Sequence, residues 1–218
     1  MPVAHISAGK DKGDGMEKLG REFFNRDTLT VARSLLGKRL VRVTGEGTII
    51  CRITETEAYV GRIDKACHAY GYRRTKRNET LFAPPGTVYI YFIYGMYYCL
   101  NFVTEPEGEP SAVLIRGAEP VEGEGLIARN RFGKDLSDLS AYQKKNLLNG
   151  PGKLCKALAL TTAQNGLSLT GDELFVLDAG ERPARTEEGP RIGVDYAEEC
   201  AAFPWRFWIP GAYITKGK

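Results

Sequence analysis

The middle of the chain reads Thr87-Val-Tyr-Ile-Tyr-Phe-Ile-Tyr-Gly-Met-Tyr-Tyr-Cys-Leu-Asn-Phe102. Its two runs, Thr87–Ile93 and Met96–Phe102, are rich in aromatic and β-branched residues, which favours a β-hairpin over a helix. Gly95 tolerates the positive φ that a tight reversal requires. The stretch therefore predicts a hairpin with Tyr94 at or next to its tip.

Five of the eleven tyrosines of the chain lie in this stretch. A buried hairpin needs fewer phenolic hydroxyls, because each buried tyrosine must find a hydrogen-bond partner. Aromatic rings at the end of a stiff arm are suited to stacking on nucleobases or wedging between them. The alternative is an ordinary core hairpin with aromatic ends, and this stretch alone slightly favours that alternative.

The overall composition is that of an ordinary globular protein. The 218 residues are 43% hydrophobic and 26% charged, which allows a sizeable core in one domain or two small ones. No apolar run reaches the roughly 18 residues of a membrane span, and residues 1–10 lack an apolar signal core. We therefore expect a cytoplasmic or nuclear protein that is not secreted. The five cysteines form no Cys-x-x-Cys pair and there are two histidines, which predicts reduced thiols and no metal site.

Positive charge is concentrated in two windows, Arg62–Asn78 and Ile127–Lys156, and the acidic segment Glu105–Glu124 lies between them. This segregation is consistent with a basic face for phosphates and an acidic face behind it. The alternative is a set of solvated loops whose charges never meet on one surface. The net charge of +3 is too small to choose between the two.

The predicted elements run from strands to helices and back to strands, which indicates one mixed α+β domain rather than alternating βαβ units. Residues 1–16 have no periodicity and are predicted to be a disordered tail, which leaves a single domain over residues 17–218. The predicted helices are Asp27–Gly37, Val121–Phe132, Leu139–Leu148 and Asn149–Leu160. Besides the hairpin, the predicted strands are Leu40–Val43, Thr48–Thr56, Ala112–Ile115, Leu174–Leu177, Arg191–Val194 and Arg206–Ile209.

Two glutamates, Glu55 and Glu57, end a predicted strand and point to the same face because they are two residues apart. Paired carboxylates are a common arrangement for general acid–base chemistry, although at a strand end they are more often simply solvated. Tyr59 places an aromatic ring beside them. The long basic segment Gly61–Gly86 follows, and an irregular segment of that length is typical of functional or disordered loops.

Three further side chains are candidates for a site. Arg116 is suited to orienting a carboxylate or a water, or it pairs with Glu119 on the surface. Asn101 lies in a hairpin arm where asparagine is disfavoured, so it is either at the sheet edge or directed at a partner. His68 is a possible base, but a hydrogen-bonded loop histidine is commoner.

Lys153 lies in the first turn of a predicted helix that opens with Asn149-Gly-Pro-Gly. Helix N-termini bind anions through their free amides, so this turn is a candidate phosphate clamp. A plain helix start is the commoner outcome.

Taken together, these residues resemble the alkyladenine (3-methyladenine) DNA glycosylase family of the mammalian type. The resemblance runs from about Leu19 to Ile209. Its motifs, in order, are Glu55-Thr-Glu-Ala-Tyr-Val-Gly61, His68, Arg77-Asn78, Pro85-Gly-Thr-Val-Tyr-Ile-Tyr-Phe-Ile-Tyr-Gly-Met-Tyr-Tyr-Cys-Leu-Asn101, Leu114-Ile-Arg-Gly-Ala-Glu-Pro120 and Gly150-Pro-Gly-Lys-Leu-Cys-Lys-Ala-Leu158. It implies a compact α+β domain with a curved antiparallel sheet, surrounding helices and a protruding β-hairpin that enters DNA.

The resemblance also implies the chemistry. Glu57 matches the general base that activates the attacking water, and Arg116 matches the arginine that helps hold that water. A main-chain carbonyl of Arg191–Val194 completes the water site. Glu55 supports the strand or tunes Glu57. No residue is placed as an amine nucleophile, so we expect a hydrolase without lyase activity and without a cofactor.

The base pocket and the DNA contacts are assigned by the same resemblance. Tyr59 matches the ring on one face of a flipped base, while His68 and Tyr91 match the groups on the other face. Asn101 matches the residue that disfavours normal guanine. The residues implied to contact DNA are Tyr94 as the wedge, Met96 and Tyr97 beside it, and Lys153 on the backbone.

The implied substrate is double-stranded DNA that contains damaged purines such as 3-methyladenine, 7-methylguanine, hypoxanthine and ethenoadenine. We expect the protein to act as a monomer and not to associate with a membrane. The segment Thr104–Ser111 departs from the family in being longer and more acidic, and the roles of Tyr70 and Tyr72 are open. Two alternatives are a nucleic-acid-binding module without chemistry and a small-molecule hydrolase that uses Glu55 and Glu57 as a pair.

Overall fold

The hairpin forms as its sequence predicts. In the computed structural model, which describes residues 15–212, Val88–Ile93 (β4) pairs antiparallel with Tyr97–Thr104 (β5). Tyr94 and Gly95 have positive φ values of 54° and 68°, as both central residues of a type I′ reversal require. The predicted tail, residues 1–16, lies almost entirely outside the described residues.

The hairpin belongs to an open antiparallel sheet with the strand order β1-β7-β2-β3-β6-β5-β4, while β9 pairs with both β3 and β8. The remaining strands in the described part of the chain are β1 (Glu17–Lys18), β2 (Arg39–Thr44), β3 (Gly47–Val60), β6 (Ser111–Glu122), β7 (Leu174–Asp178), β8 (Glu187–Gly189) and β9 (Arg206–Trp208). The helices are α1 (Arg21–Phe24), α2 (Thr28–Leu35), α3 (Glu124–Phe132), α4 (Ala141–Lys145) and α5 (Pro151–Ala157). This arrangement confirms the predicted single α+β domain.

Helices α2 and α5 bury apolar side chains in one core against the sheet, whereas α4 buries none of its residues. Helix α2 begins at Asp27, whose carboxylate accepts the backbone N–H of Thr30 at 2.8 Å, and it buries Val31 and Leu35 completely. Helix α5 buries Leu154 against strands β5 and β6. The opposite face of β3, β6, β5 and β4 carries Glu57 and Asn101 together with a second apolar cluster that includes Val103 and Ala112.

Strand β3 is the longest strand and carries irregularities of register near Glu55. Such bulges bend a strand and re-aim its side chains. Thr56 points towards α2, where its hydroxyl donates to the carbonyl of Ala32 at 2.9 Å. Because neighbouring strand residues alternate in direction, Glu55 and Glu57 lie on the other face, as the sequence predicted.

Three predicted elements need correction. Val121 belongs to β6, because the strand stays paired with β3 as far as Glu122; helix α3 begins only after Gly123, which has a φ of 83°. The predicted helix Leu139–Leu148 shortens to α4, which a capping box between Ser140 and Gln143 starts. The predicted strand Arg191–Val194 is irregular backbone, because one of its N–H groups bonds a side chain instead of a neighbouring strand.

All five cysteines are buried free thiols, which agrees with the prediction of reduced cysteines. Burial raises the pKa of Cys51 to about 12. Among the described residues, no helix is both long enough and apolar enough to cross a membrane.

Candidate active site

The site is built from one row of residues that crosses four neighbouring strands. Glu57 of β3 pairs with Leu114 of β6, Leu114 with Asn101 of β5, and Asn101 with Tyr89 of β4. Directly opposed residues in an antiparallel sheet share a face, and neighbouring strands lie about 4.8 Å apart. Strand pairing therefore brings residues that are far apart in sequence onto one surface.

Glu57 is fully buried and held by three hydrogen bonds. Its Oε2 accepts the hydroxyl of Tyr59 at 2.7 Å and Nη1 of Arg116 at 3.3 Å, and its Oε1 accepts the backbone N–H of Ile192 at 2.8 Å. Burial and the charge of Glu57 raise the pKa of Tyr59 well above its usual value, so the phenol remains a donor. These contacts fix the orientation of the carboxylate.

Arg116 does not reach the surface to pair with Glu119, one of the two alternatives that the sequence allowed. It is buried, and its Nε donates to Glu55 Oε1 at 3.3 Å. Burial opposes its charge, but Glu57 and Glu55 outweigh that cost and raise the pKa of the guanidinium. Glu55 also accepts Nε of Arg206 at 2.6 Å, so it serves as the support on which Arg116 is held.

Beside this cluster lies a cavity of about 470 Å³, which we call the aromatic cavity. Asn101 and Arg116 contribute polar groups to its wall. Its aromatic lining is made of Tyr59, His68, Tyr89, Tyr91, Tyr94, Tyr97 and Tyr196. A volume of this size, with aromatic walls and a few directed polar groups, is large enough for a flat heterocycle.

His68 is fixed from both sides. Its Nδ1 lies 3.0 Å from the hydroxyl of Tyr89, and its ring meets Tyr91 edge to face with centroids 4.5 Å apart. Asn78 anchors the loop by donating to the carbonyls of His68 and Arg73 at 2.9 and 2.8 Å. Burial and then the charge of Arg77 lower the pKa of His68, which keeps the imidazole neutral at pH 7.

Asn101 lies in an interior strand, so it is not an edge residue. Its side chain is buried, and its Nδ2 donates to the carbonyls of Tyr89 and Cys99, both at 3.1 Å. With both amide protons committed to the backbone, the side chain cannot rotate away from the cavity wall.

The tip of the hairpin stands at the mouth of the cavity. Tyr94 is 79% exposed and Met96 is 64% exposed, so neither ring nor thioether is used by the core. Tyr97 lines the cavity and packs over Gly152, where a Cβ atom would lie 2.7 Å from the tyrosine ring. The hairpin therefore presents apolar side chains that the fold does not need, which is contrary to an ordinary core hairpin.

Lys153 lines the cavity from the first turn of α5. Its Nζ donates to Oδ1 of Asn146 at 2.8 Å and to Oδ1 of Asn149 at 3.0 Å. Burial and then Arg131 lower its pKa. The lysine is thus held at the mouth of the cavity.

A model of the methylpurine-DNA glycosylase family matches residues 22–213. This chain belongs to that family. A relative from Clostridium perfringens strain SM101 is 52% identical over 195 residues, which are 88% of this chain and 95% of the relative. A relative from Desulfitobacterium hafniense strain Y51 is 50% identical over 203 residues, 93% of this chain and all of the relative. Both are named "Putative 3-methyladenine DNA glycosylase", which supports a DNA-repair glycosylase.

In this member of the methylpurine-DNA glycosylase family, the basic and acidic segments are not cleanly separated. Arg62 pairs with Glu105 at 2.7 Å, so the acidic segment folds back onto the first basic window. Lys65 also pairs with glutamates, Glu198 and Glu199, which lie outside the acidic segment. Arg77 donates to the hairpin carbonyl of Phe92 at 3.3 Å, and Lys153 lines the cavity, so each window supplies one cation beside the site.

Several residues of the site were not among the candidates singled out from the sequence, and Tyr89 and Arg206 are two of them. The N–H of Ile192 comes from a segment predicted as a strand, and Asp64 and Arg191 form a buried ion pair behind Tyr59. Tyr196 lies at the mouth of the cavity and is 68% exposed. The sequence offered one weak indication of these residues, because the charged Arg191 stands directly before the apolar run Ile192-Gly-Val194.

Proposed function

We propose that this chain flips damaged purines out of double-stranded DNA and hydrolyses the N-glycosidic bond, with Glu57 as the general base. Family membership and the names of the relatives support a glycosylase acting on 3-methyladenine. On the same basis we propose 7-methylguanine, hypoxanthine and ethenoadenine as further substrates. The cavity and its carboxylate lie within one chain, which is consistent with action as a monomer.

The observation that carries the proposal is the way Glu57 is held. An ionised carboxylate has about four lone-pair sites. Tyr59, Arg116 and Ile192 occupy three of them, which leaves one to accept a proton from a water. Tyr59 and Arg116 line the aromatic cavity and Glu57 is buried behind them, so we propose that this water lies between Glu57 and the sugar carbon of a bound nucleotide. Positioned general bases contribute about 10²- to 10⁴-fold to a rate.

The aromatic cavity offsets the cost of extruding a base. Unstacking and unpairing cost a few kcal/mol, roughly 2–4, and least for a damaged base. Stacking on an aromatic side chain returns about 1–3 kcal/mol per base, and we assign that role to Tyr59 on one face and to His68 and Tyr91 on the other. Tyr94 fills the gap that the base leaves in the duplex, with Met96 and Tyr97 beside it.

We assign Lys153 to the DNA backbone rather than to covalent catalysis. Its ammonium donates to Asn146 and Asn149, which hold it as a hydrogen-bond donor suited to a phosphate. We therefore propose a monofunctional hydrolase. Borohydride should trap no covalent complex between the enzyme and its product DNA.

The proposal is tested by single-turnover release of hypoxanthine from a duplex. We expect release by the wild type, and Glu57→Gln should bind the same duplex but lower the rate by about 10²- to 10⁴-fold. Glu46→Gln, which changes an exposed carboxylate in the turn between β2 and β3, is the matched control and should release hypoxanthine normally.

The same assay, together with DNA affinity measured at low and high salt, separates the two alternatives. A nucleic-acid-binding module would bind the duplex but release neither hypoxanthine nor 3-methyladenine, and Glu57→Gln would change nothing. A small-molecule hydrolase would show no salt-dependent affinity for DNA, whereas phosphate contacts weaken steeply as salt rises. Either result would refute the proposed function.

A further inference from the structure

An ion pair that no solvent reaches lies behind the aromatic cavity. The side chains of Asp64 and Arg191 are both 0% exposed. Nη2 of Arg191 donates to Asp64 Oδ1 at 2.9 Å, and Nη1 donates to Oδ2 of the same carboxylate. The guanidinium also donates to the carbonyls of Ala58 and Cys200, both at 3.0 Å. Such an arrangement holds the cation in one place.

The guanidinium of Arg191 lies over two aromatic rings. Its Cζ lies 4.8 Å from the ring centroid of Tyr59 and 5.2 Å from that of Trp205. Tyr59 lines the aromatic cavity, whereas Arg191 is fully buried. One face of the Tyr59 ring is therefore occupied by a fixed cation, while the other is available to the cavity.

We propose that Arg191 is a specificity-determining residue, which disfavours cationic bases relative to neutral ones in the aromatic cavity. The inference rests on the proposed function, since it requires a base on the free face of Tyr59. The residue acts through Tyr59 and does not touch the substrate.

The physical reason is the quadrupole of the aromatic ring. The face of a tyrosine ring attracts a cation, and Arg191 already uses that attraction from behind. A second cation on the front face of Tyr59 is attracted less strongly by the ring, because Arg191 already polarises it from behind. The same cation is repelled by the guanidinium through a medium of low dielectric. Stacking of a neutral purine depends little on either effect. Asp64 cancels part of the repulsion, but it lies behind the guanidinium and its influence on the base is weaker.

Two opposite charge changes test this arrangement. Arg191→Met removes the cation, and Asp64→Asn removes the compensating carboxylate while leaving an amide oxygen for its partners. The readout is the ratio of single-turnover excision rates for 7-methylguanine, which is cationic, and hypoxanthine, which is neutral, in the same duplex and relative to wild type.

We expect the ratio to rise by about threefold or more in Arg191→Met and to fall by about threefold or more in Asp64→Asn. A purely structural role for the pair would lower both rates and shift the ratio in the same direction in both variants, because either change disturbs the segment that holds Glu57. Arg191→Met also disturbs the neighbouring N–H of Ile192 on Glu57, and a weaker base slows hypoxanthine release more than 7-methylguanine release because a cationic base leaves more readily. The opposite shift in Asp64→Asn is therefore the decisive part of the test.

Each single variant buries an unpaired charge, which destabilises a protein strongly. The double variant Asp64→Asn/Arg191→Met buries none, so it keeps the test open if a single variant does not fold. Its ratio should rise, though less than in Arg191→Met. A ratio within twofold of wild type in every folded variant, or a shift in the same direction in both single variants, overturns the inference. A wild type that excises neither base refutes the proposed function itself.

Discussion

The phenolic hydroxyl of Tyr59 donates to Oε2 of Glu57 over 2.7 Å, so the ring that lines the aromatic cavity and the buried carboxylate form one unit. The two residues are next-but-one neighbours on β3, and their side chains share a face of the strand. Any displacement of the ring is therefore transmitted to the carboxylate. This coupling gives the first prediction.

Tyr59→Phe keeps the ring but removes the donor. A buried charged group that loses a hydrogen bond costs about 1–3 kcal/mol, so the free energy of unfolding should fall by that amount. The measurement is urea denaturation of both proteins. Tyr142→Phe is the control, because Tyr142 is 76% exposed and its hydroxyl is free to bond water. Equal stability of Tyr59→Phe and wild type would show that this hydrogen bond does not stabilise the fold.

Tyr94→Ala should weaken retention of the extruded base, because the gap in the duplex is no longer filled. We expect the flipping equilibrium, followed by the fluorescence of ethenoadenine in a duplex, to fall about tenfold. The positive φ of 54° at this position is unfavourable for both tyrosine and alanine, so the substitution mainly reports the loss of the ring. Tyr142→Ala, another exposed tyrosine, should leave the equilibrium unchanged. Normal flipping by Tyr94→Ala would show that the tip is not a wedge.

Asn101→Ser or Asn101→Gly should relax discrimination against guanine. The amide of Asn101 is fixed by the carbonyls of Tyr89 and Cys99, so it cannot move aside for the 2-amino group of guanine. The measurement is excision of guanine opposite thymine, which should become detectable in the smaller variants. Asn101→Leu keeps the branched shape of the side chain and is somewhat larger, so it should still exclude guanine. If guanine excision is unchanged in the Ser and Gly variants, Asn101 does not set this selectivity.

His68 should make the stability of the protein depend on pH. Burial and then Arg77 lower its pKa below the ordinary value of 6.5, so the unfolded chain binds a proton at a higher pH than the folded protein does. Stability is therefore full above pH 6.5 and is lost as the pH falls below it towards the folded pKa. His68→Gln should lose less stability than wild type between pH 8 and about pH 5.

The control for this pH dependence is the other histidine of the chain. His5→Gln should follow the wild type in thermal unfolding across the same pH range, since we assign the pH dependence to His68 and its contact with Tyr89. Identical pH dependence in His68→Gln and wild type would contradict the assignment.

Local sequence determined the elements whose signals lie within a few residues. The cap at Asp27, the positive φ at Gly95 and the alternation of Glu55 and Glu57 each depend on neighbouring residues, and each is found in the structure. The motifs around the tyrosine hairpin also identified the family, because several long motifs occur along the chain in the order that the family has.

Tertiary structure decided which of these residues meet. The strand order β3-β6-β5-β4 places Glu57, Leu114 and Asn101 in one row, and no local pattern specifies that order. Arg191 and Ile192 reach the site from irregular backbone. The guanidinium of Arg191 and the N–H of Ile192 form hydrogen bonds with residues that lie more than one hundred positions away in the sequence. Such partners are chosen by the free energy of the whole fold, since a buried charge or carboxylate is stable only where another part of the chain satisfies it.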